Sequence, residues 1–268
     1  MIPKKIHYCW FGGNPLPELA QKCLASWKKY CPDYEIIEWN ESNFNINDCN
    51  YAKEAYEEKK WAFVTDYVRL KVLFDFGGIY MDTDVEIIKP LDSLLSFTAV
   101  SGFESETSIP TGLIASEKDN SMIGEFLTEY NDIHFRKPDG TLDLTTNVFR
   151  ITKNCLKYGF VPNNCLQVIN GFTFLPKDYL CPKNSKTGEM FITENTLAIH
   201  HFDGSWLSNE ERDIKSLTTK YIKKYPYNVA RLIALIVVYT RYRGLLKMPF
   251  VIIKRKREAD KTKCQIKS

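Results

Sequence analysis

GGIYMDTDVE, residues 77–86, closes a long helical pattern and opens a strand. Gly77-Gly78 stops the helix and lets a ligand approach the backbone closely. The run from Ile79 to Ile88 then reads as one strand. Side chains alternate along a strand, so Tyr80, Asp82, Asp84 and Glu86 fall on one face and the largely apolar set from Ile79 to Ile87 on the other. Two ionised carboxylates about 4 Å apart repel by roughly 4 kcal/mol at an effective dielectric of ~20. They must protonate, splay into water or hold a cation. Oxygen ligands of this kind favour a hard divalent ion, Mn2+ or Mg2+. A bare D-x-D is as a rule a solvated strand end, but a polar face within an apolar strand behind two glycines is unusual in a buried sheet.

Working outward, residues 51–75 read as one long helix before the glycines. Residues 5–11 (KIHYCWF) read as a first strand ended by Gly12-Gly13, Leu16 to Tyr30 as a helix, and Tyr34 to Trp39 as a second strand. Short strands are expected at 98–103 and 112–115, a helix near 121–131 and another within TTNVFRITKNCLKYG. Gly and Pro punctuate much of 139–195, which yields no clear pattern beyond that helix. A last strand, TLAIHHF at 196–202, runs into DGSW. Strands alternating with helices imply an α/β fold with a mainly parallel sheet, which binds ligands at the carboxyl ends of its strands.

Charge divides the chain. Residues 208–268 hold 16 Lys and Arg against 5 Asp and Glu, leaving 20 against 28 for residues 1–207. An acidic body with a basic tail is unlike a nucleic-acid reader, whose basic surface is part of the folded domain, so no nucleic-acid partner is expected. The eight cysteines form no C-x-x-C pair and the opening residues lack a signal-peptide pattern, so reduced thiols in a cytoplasmic protein are expected. In the tail, LIALIVVY is too short to span a bilayer, and Arg231, Arg241, Arg243 and the KRKR run at 254–257 flank it. This predicts an interfacial helix on an anionic membrane, with a packed C-terminal helix as the alternative.

The segment AFVTDYVRLKVLFDFGGIYMDTDVEIIKPL resembles the D-x-D-containing sugar-binding core of family 32 glycosyltransferases, of the bacterial capsular-polysaccharide type. The opening IPKKIHYCWFGG and the closing AIHHFDGSW resemble that family's ends, so the likeness covers about residues 1–207. It implies a GT-A fold, a Rossmann-like sheet flanked by helices that binds a nucleotide sugar through a divalent metal. On this basis residues 1–207 form the catalytic domain and 208–268 a helical, basic, membrane-associating segment.

Carried onto this sequence, the resemblance implies that Asp66 and Arg69 contact the donor sugar. Tyr80 lies near the diphosphate, and Asp82 contacts ribose or sugar with a reach to the metal. Asp84 ligates the metal directly, and Trp10, with Cys9 beside it, meets the base. Of the adjacent histidines His200 and His201 only one faces the cleft; His201 is expected as metal ligand, with Ser205 and Trp206 on the diphosphate. Asn147 matches a position near the sugar loosely, because the usual Gly-Pro is missing there. The spacing of Asp66 and Arg69 also fits an ordinary helical ion pair.

The implied reaction is retaining hexosyl transfer from a nucleotide sugar, with UDP the expected nucleotide, and no residue stands out as a covalent nucleophile. The acceptor implied is a glycan or lipid-linked oligosaccharide at the cytoplasmic face of the plasma membrane. The rival readings are a sugar-nucleotide-binding assembly subunit and a metal-dependent phosphotransferase. The latter needs its D-x-D on the first strand, whereas here it lies on the third.

Overall fold

The computed structural model describes residues 1–110, 112–204 and 207–243. In chain order the elements are β1 (Lys5–Cys9), α1 (Glu18–Tyr30), β2 (Glu35–Trp39), α2 (Asn50–Glu57), α3 (Trp61–Phe76), β3 (Gly78–Met81) and β4 (Val85–Ile87). Then come β5 (Ala99–Gly102), β6 (Leu113–Ser116), α4 (Ser121–Thr128), α5 (Asn147–Leu156), β7 (Gln167–Ile169), β8 (Phe172–Leu175), α6 (Lys177–Leu180), β9 (Ala198–His200), α7 (Asn209–Tyr221) and α8 (Tyr227–Arg243). The chain divides into two compact units, one of Met1–Asn184 with Glu189–Asp203, the other of Ser185–Gly188 with Gly204–Ser268.

The first unit is built on a seven-stranded sheet in the order β2-β1-β3-β6-β5-β8-β7. Five strands run one way, and β6 and β7 run against them. This is the mainly parallel α/β sheet expected from the sequence. Strand alternation divides its side chains between two cores. Ile6, Ile79, Met81, Leu113 and Ala115 pack with Cys23 and Trp27 of α1 on one face. Tyr80, Ile114, Phe172 and Phe174 pack with Val64, Val68, Phe126 and Ile151 of α3, α4 and α5 on the other. The carboxyl ends of β1, β2, β3, β5 and β8 share one edge of the sheet.

Two expectations change. The helix expected over 51–75 is two helices, broken at Glu58–Lys60, where Lys59 has φ +54°. α2 buries Tyr51, Ala52 and Ala55, whereas α3 is buried around most of its circumference. The charged residues Glu57 to Lys60 bury no apolar surface, so breaking there lets each helix find its own packing direction. The strand expected over 79–88 is also broken. β3 ends at Met81, the chain turns at Asp82–Asp84 with Val85 N–H donating to Asp82 O (3.0 Å), and β4 leaves the main sheet to pair antiparallel with β9. The two acids therefore sit in a turn between two sheets and not on one strand face.

Gly77 and Gly78 make the reversal from α3 into β3, with φ of +63° and +111°. A Cβ on Gly77 would stand 2.7 Å from Lys118 N, and one on Gly78 2.8 Å from His7 Nε2. The hairpin β7–β8 and the short α6 lie in the stretch that gave no clear pattern in the sequence.

The second unit is a helical hairpin. Ser208 and Glu211 form a reciprocal capping box at the start of α7. Ile214 of α7 packs with Ala234, Val238 and Tyr239 of α8, and Arg241 and Arg243 pair with Asp213 and Glu210. The middle of LIALIVVY is thus covered by α7, while Val229 and Leu232 remain exposed. Among the described residues no helix is long and apolar enough to cross a membrane. The KRKR run lies outside the described residues.

Candidate active site

Arg69 is the centre of the site. It is 4% exposed, two turns into a helix that is itself buried, so its charge must be met from within. One nitrogen lies 3.2 Å from Asp66 Oδ1 and another 3.2 Å from Asp82 Oδ1, while Nε donates to Thr65 O (3.2 Å). The guanidinium also sits over the Tyr80 ring, 4.8 Å from its centroid. Tyr80 points toward α3 because it alternates with Ile79 and Met81, and its hydroxyl donates to Asp82 Oδ1 at 2.9 Å. The buried Cys9 thiol lies against Tyr80; burial raises its pKa well above the ordinary range, so it stays protonated.

Asp66 meets the start of α5. Asn147 N–H donates to its carboxylate (3.1 Å) and Asn147 Nδ2 donates to its carbonyl (3.0 Å). Burial pushes the Asp66 carboxyl up to about 6 against the pull of Arg69 and the Asn147 amide. Burial also works against ionisation of Asp84, but His200 outweighs it and lowers the carboxyl to about 2.

Asp82 and Asp84 converge through the turn and not through strand alternation. Asp82 N–H donates to Gly112 O (2.8 Å), and Asp203 N–H donates to Asp84 Oδ2 (2.8 Å). The register of β4 with β9 sets Val85 opposite His200, which brings His200 Nε2 to 3.3 Å from Asp84 Oδ1. His201, the expected ligand, faces the other way and bonds Glu86 at 2.8 Å, with Lys22 on the same carboxylate at 3.0 Å. His200, and not His201, therefore stands beside Asp84. A signal for this lay in the histidine pair, but its parity depends on a pairing that spans more than a hundred residues.

Ligand atoms of Asp82, Asp84 and His200 all lie within 4.8 Å of one another. Two carboxylate oxygens and one imidazole nitrogen suit a divalent ion such as Mn2+. Against burial, which lowers it, Asp84 raises the His200 pKa well above the ordinary imidazole value, so the two face each other as carboxylate and imidazolium until a cation takes the proton's place. The Cys181 thiol meets the buried His200 ring, which stacks on Phe202 at 4.2 Å between centroids.

Trp10 follows β1 directly. Its indole N–H donates to Asn14 O (2.5 Å), and its ring packs partly buried on the α1 side of the sheet, not among the residues around Arg69. Behind it Gly12 N–H donates to Glu41, which also lines a surface cavity of about 600 Å3 between loop 41–47 and α2. That cavity holds none of the D-x-D residues. Ser205 and Trp206 lie outside the described residues.

Residues 17–101 match the family model of the glycosyltransferase sugar-binding region containing a DXD motif. That stretch, about a third of the chain, is similar to the DXD glycosyltransferases. It carries Asp66, Arg69, Tyr80, Asp82 and Asp84, and stops short of Asn147 and His200.

Among curated proteins, inositol phosphoceramide mannosyltransferase 3 of Schizosaccharomyces pombe is 33% identical over 102 residues, covering 37% of this chain and 28% of that one. Subversion of eukaryotic traffic protein A of Legionella pneumophila is 26% identical over 130 residues, covering 35% and 20%. The chain spans about a fifth to a third of the length of the curated relatives it matches. Among solved structures, the PaToxG glycosyltransferase aligns with a TM-score of 0.49 at 22% identity over 58% of this chain and 68% of that one. The galactosyltransferase LgtC, in complex with donor and acceptor sugar analogues, gives 0.41 at 12% identity over 86% and 95%.

Proposed function

We propose that this chain is a glycosyltransferase of GT-A type that moves a hexose from a nucleotide sugar to a hydroxyl acceptor with the help of a divalent metal. The observation that carries the reading is the convergence of Asp82, Asp84 and His200 ligand atoms within 4.8 Å, beside the buried Arg69 that Asp66 and Asp82 share. Asp84 and His200 would hold the ion, with Asp82 between it and Arg69. When bound, the ion supplies Lewis-acid stabilisation of the leaving diphosphate. Arg69 and Asp66 present fixed hydrogen-bonding groups to sugar hydroxyls and hold the ring in place for attack.

UDP-sugars remain the first donors to test, with GDP-mannose added because inositol phosphoceramide mannosyltransferases are among the relatives. On this reading the acceptor is a glycan or a lipid-linked glycan. The hairpin with its basic tail then holds the enzyme at the cytoplasmic face of an anionic membrane in surface-polysaccharide synthesis. The test is Mn2+-dependent hydrolysis of a panel of UDP-glucose, UDP-galactose and GDP-mannose by the wild type and by Asp84→Asn. Loss of turnover in the variant supports the assignment, and unchanged turnover refutes it. Co-sedimentation with phosphatidylserine vesicles, lost on deleting residues 208–268, tests the membrane role.

A further inference from the structure

Glu104 is the first residue after Phe103, at the carboxyl end of β5, on the sheet edge that also carries the D-x-D turn. Only β6 separates β5 from β3. At the start of β6, Gly112 accepts the Asp82 N–H and backs directly onto the His200 ring. Glu104 therefore lies along the same sheet edge, with Gly112 between its strand and Asp82. The charged groups that act on its carboxyl are His200 and Asp82, after burial, which raises its pKa.

Its loop is pinned. Glu104 N–H donates to Ser108 O (2.8 Å), Ser105 and Ser108 hydroxyls meet at 2.7 Å, and Ile109 N–H donates to Thr152 Oγ1 (3.1 Å). The neighbouring Glu106 takes Lys177 at 2.8 Å. The Glu104 carboxylate, by contrast, has no hydrogen-bond or ion-pair partner among the described residues. Leaving a half-buried carboxylate unpartnered beside Asp82 works against the fold unless a ligand uses it. It stands outside the ion's own set, because among the described residues the ligand atoms that cluster within 4.8 Å are those of Asp82, Asp84 and His200.

Resting on the glycosyltransferase reading, the geometry points to Glu104 as the residue that receives the incoming hydroxyl, accepting its hydrogen bond on the β5 side while Asp66 and Arg69 hold the donor sugar on the α3 side. In the transfer, the bond from the anomeric carbon to the diphosphate oxygen breaks and the leaving oxygen keeps its electron pair. The bond from the hydroxyl oxygen to the anomeric carbon forms, and the hydroxyl's one proton passes along its hydrogen bond to the Glu104 carboxylate, which then releases it to the departing nucleoside diphosphate or to water. Water occupies the same place during donor hydrolysis, so the assignment is testable without knowing the natural acceptor.

The experiment uses the full chain, wild type and Glu104→Gln, with Mn2+ and the nucleotide sugar that wild type hydrolyses fastest. Turnover to water should fall on the order of ten- to hundredfold, the worth of a hydrogen bond to a charged group. The donor KM, the Mn2+ half-saturation and the Tm should stay within about their wild-type values. With glycerol added as a competing alcohol, the ratio of glyceryl glycoside to free sugar should shift, and Glu104→Asp should recover part of both. An unchanged turnover and product ratio would overturn the assignment. So would a loss that tracks a weakened Mn2+ half-saturation, since the carboxylate would then belong to the metal. A wild type that hydrolyses no donor would overturn the glycosyltransferase reading itself and this assignment with it.

Discussion

Replacing Gly112 by Ala places a methyl group 2.8 Å from His200 Nδ1 and 2.9 Å from Cε1. Ordinary contact begins near 3.4 Å, so the ring must retreat by about 0.6 Å. It has little freedom to do so, because it is stacked on Phe202 and held against Asp84. Gly112 itself has no left-handed backbone conformation to lose, so the damage passes through His200. Displacing a metal ligand through its support weakens metal binding by about 10- to 100-fold. At saturating Mn2+ this removes about 1.4–2.7 kcal/mol of ligand stabilisation. For a domain of this size it amounts to roughly 3–11 °C less Mn2+-induced rise in Tm. The assay is differential scanning fluorimetry with and without Mn2+, reading the rise and not the Tm itself, which overpacking also lowers. In a His200→Ala background the glycine substitution should make no further difference to the rise. A Gly112→Ala protein that keeps the full Mn2+ response would refute the reasoning.

Arg69→Gln strands the buried Asp66 carboxylate and the partly buried Asp82 carboxylate, and should destabilise the first unit by about 3–5 kcal/mol; urea denaturation measures this, and adding Asp66→Asn should recover part of the loss. His200→Ala should abolish the Mn2+-induced rise in Tm while His201→Ala retains it, and the reverse pattern would return the ligand role to His201. His7, fully buried, donates from Nε2 to Gly77 O (2.8 Å) and accepts the Trp39 indole N–H on Nδ1 (3.1 Å). Burial lowers its pKa from 6.5 to about 4. The unfolded chain therefore takes up this proton first as pH falls, so stability should drop between pH 6.5 and pH 4 by about 1.4 kcal/mol per pH unit and level off below. His7→Gln should lose that part of the slope in urea titrations at pH 7 and pH 4.5, although it is less stable at both.

Local pattern carried most of the sheet and its flanking helices into view. β1, β2, α1 and β5 announce themselves through apolar spacing and glycine stops, and Asp66 with Arg69 through their place on one helical face. What escaped was set by contacts distant in sequence. Whether His200 or His201 meets Asp84 depends on the register of β4 with β9, which no local periodicity encodes. The kink at Lys59 depends on where two helices find their cores. The hairpin of β7 and β8 is a different kind of miss. Asn170-Gly171, with φ of +48° and +80° between VI and FTF, is a two-residue turn signal legible in the sequence and passed over there. The D-x-D acids were legible as a pair, but their convergence comes from a turn between two sheets, a geometry that strand alternation does not describe.

The two-stranded sheet of β4 and β9 joins residue 85 to residue 200. The cleft consequently does not exist during most of the chain's synthesis. All of the family-matched segment can be made while His200 is still unmade, and such a fragment would offer Asp82 and Asp84 to solvent without it. On the proposed reading, capacity to bind an ion would arrive in one step, when the last strand of the unit docks. Ion binding then acts as a clasp on that strand, so Mn2+ should slow its detachment more than that of any other strand in the unit.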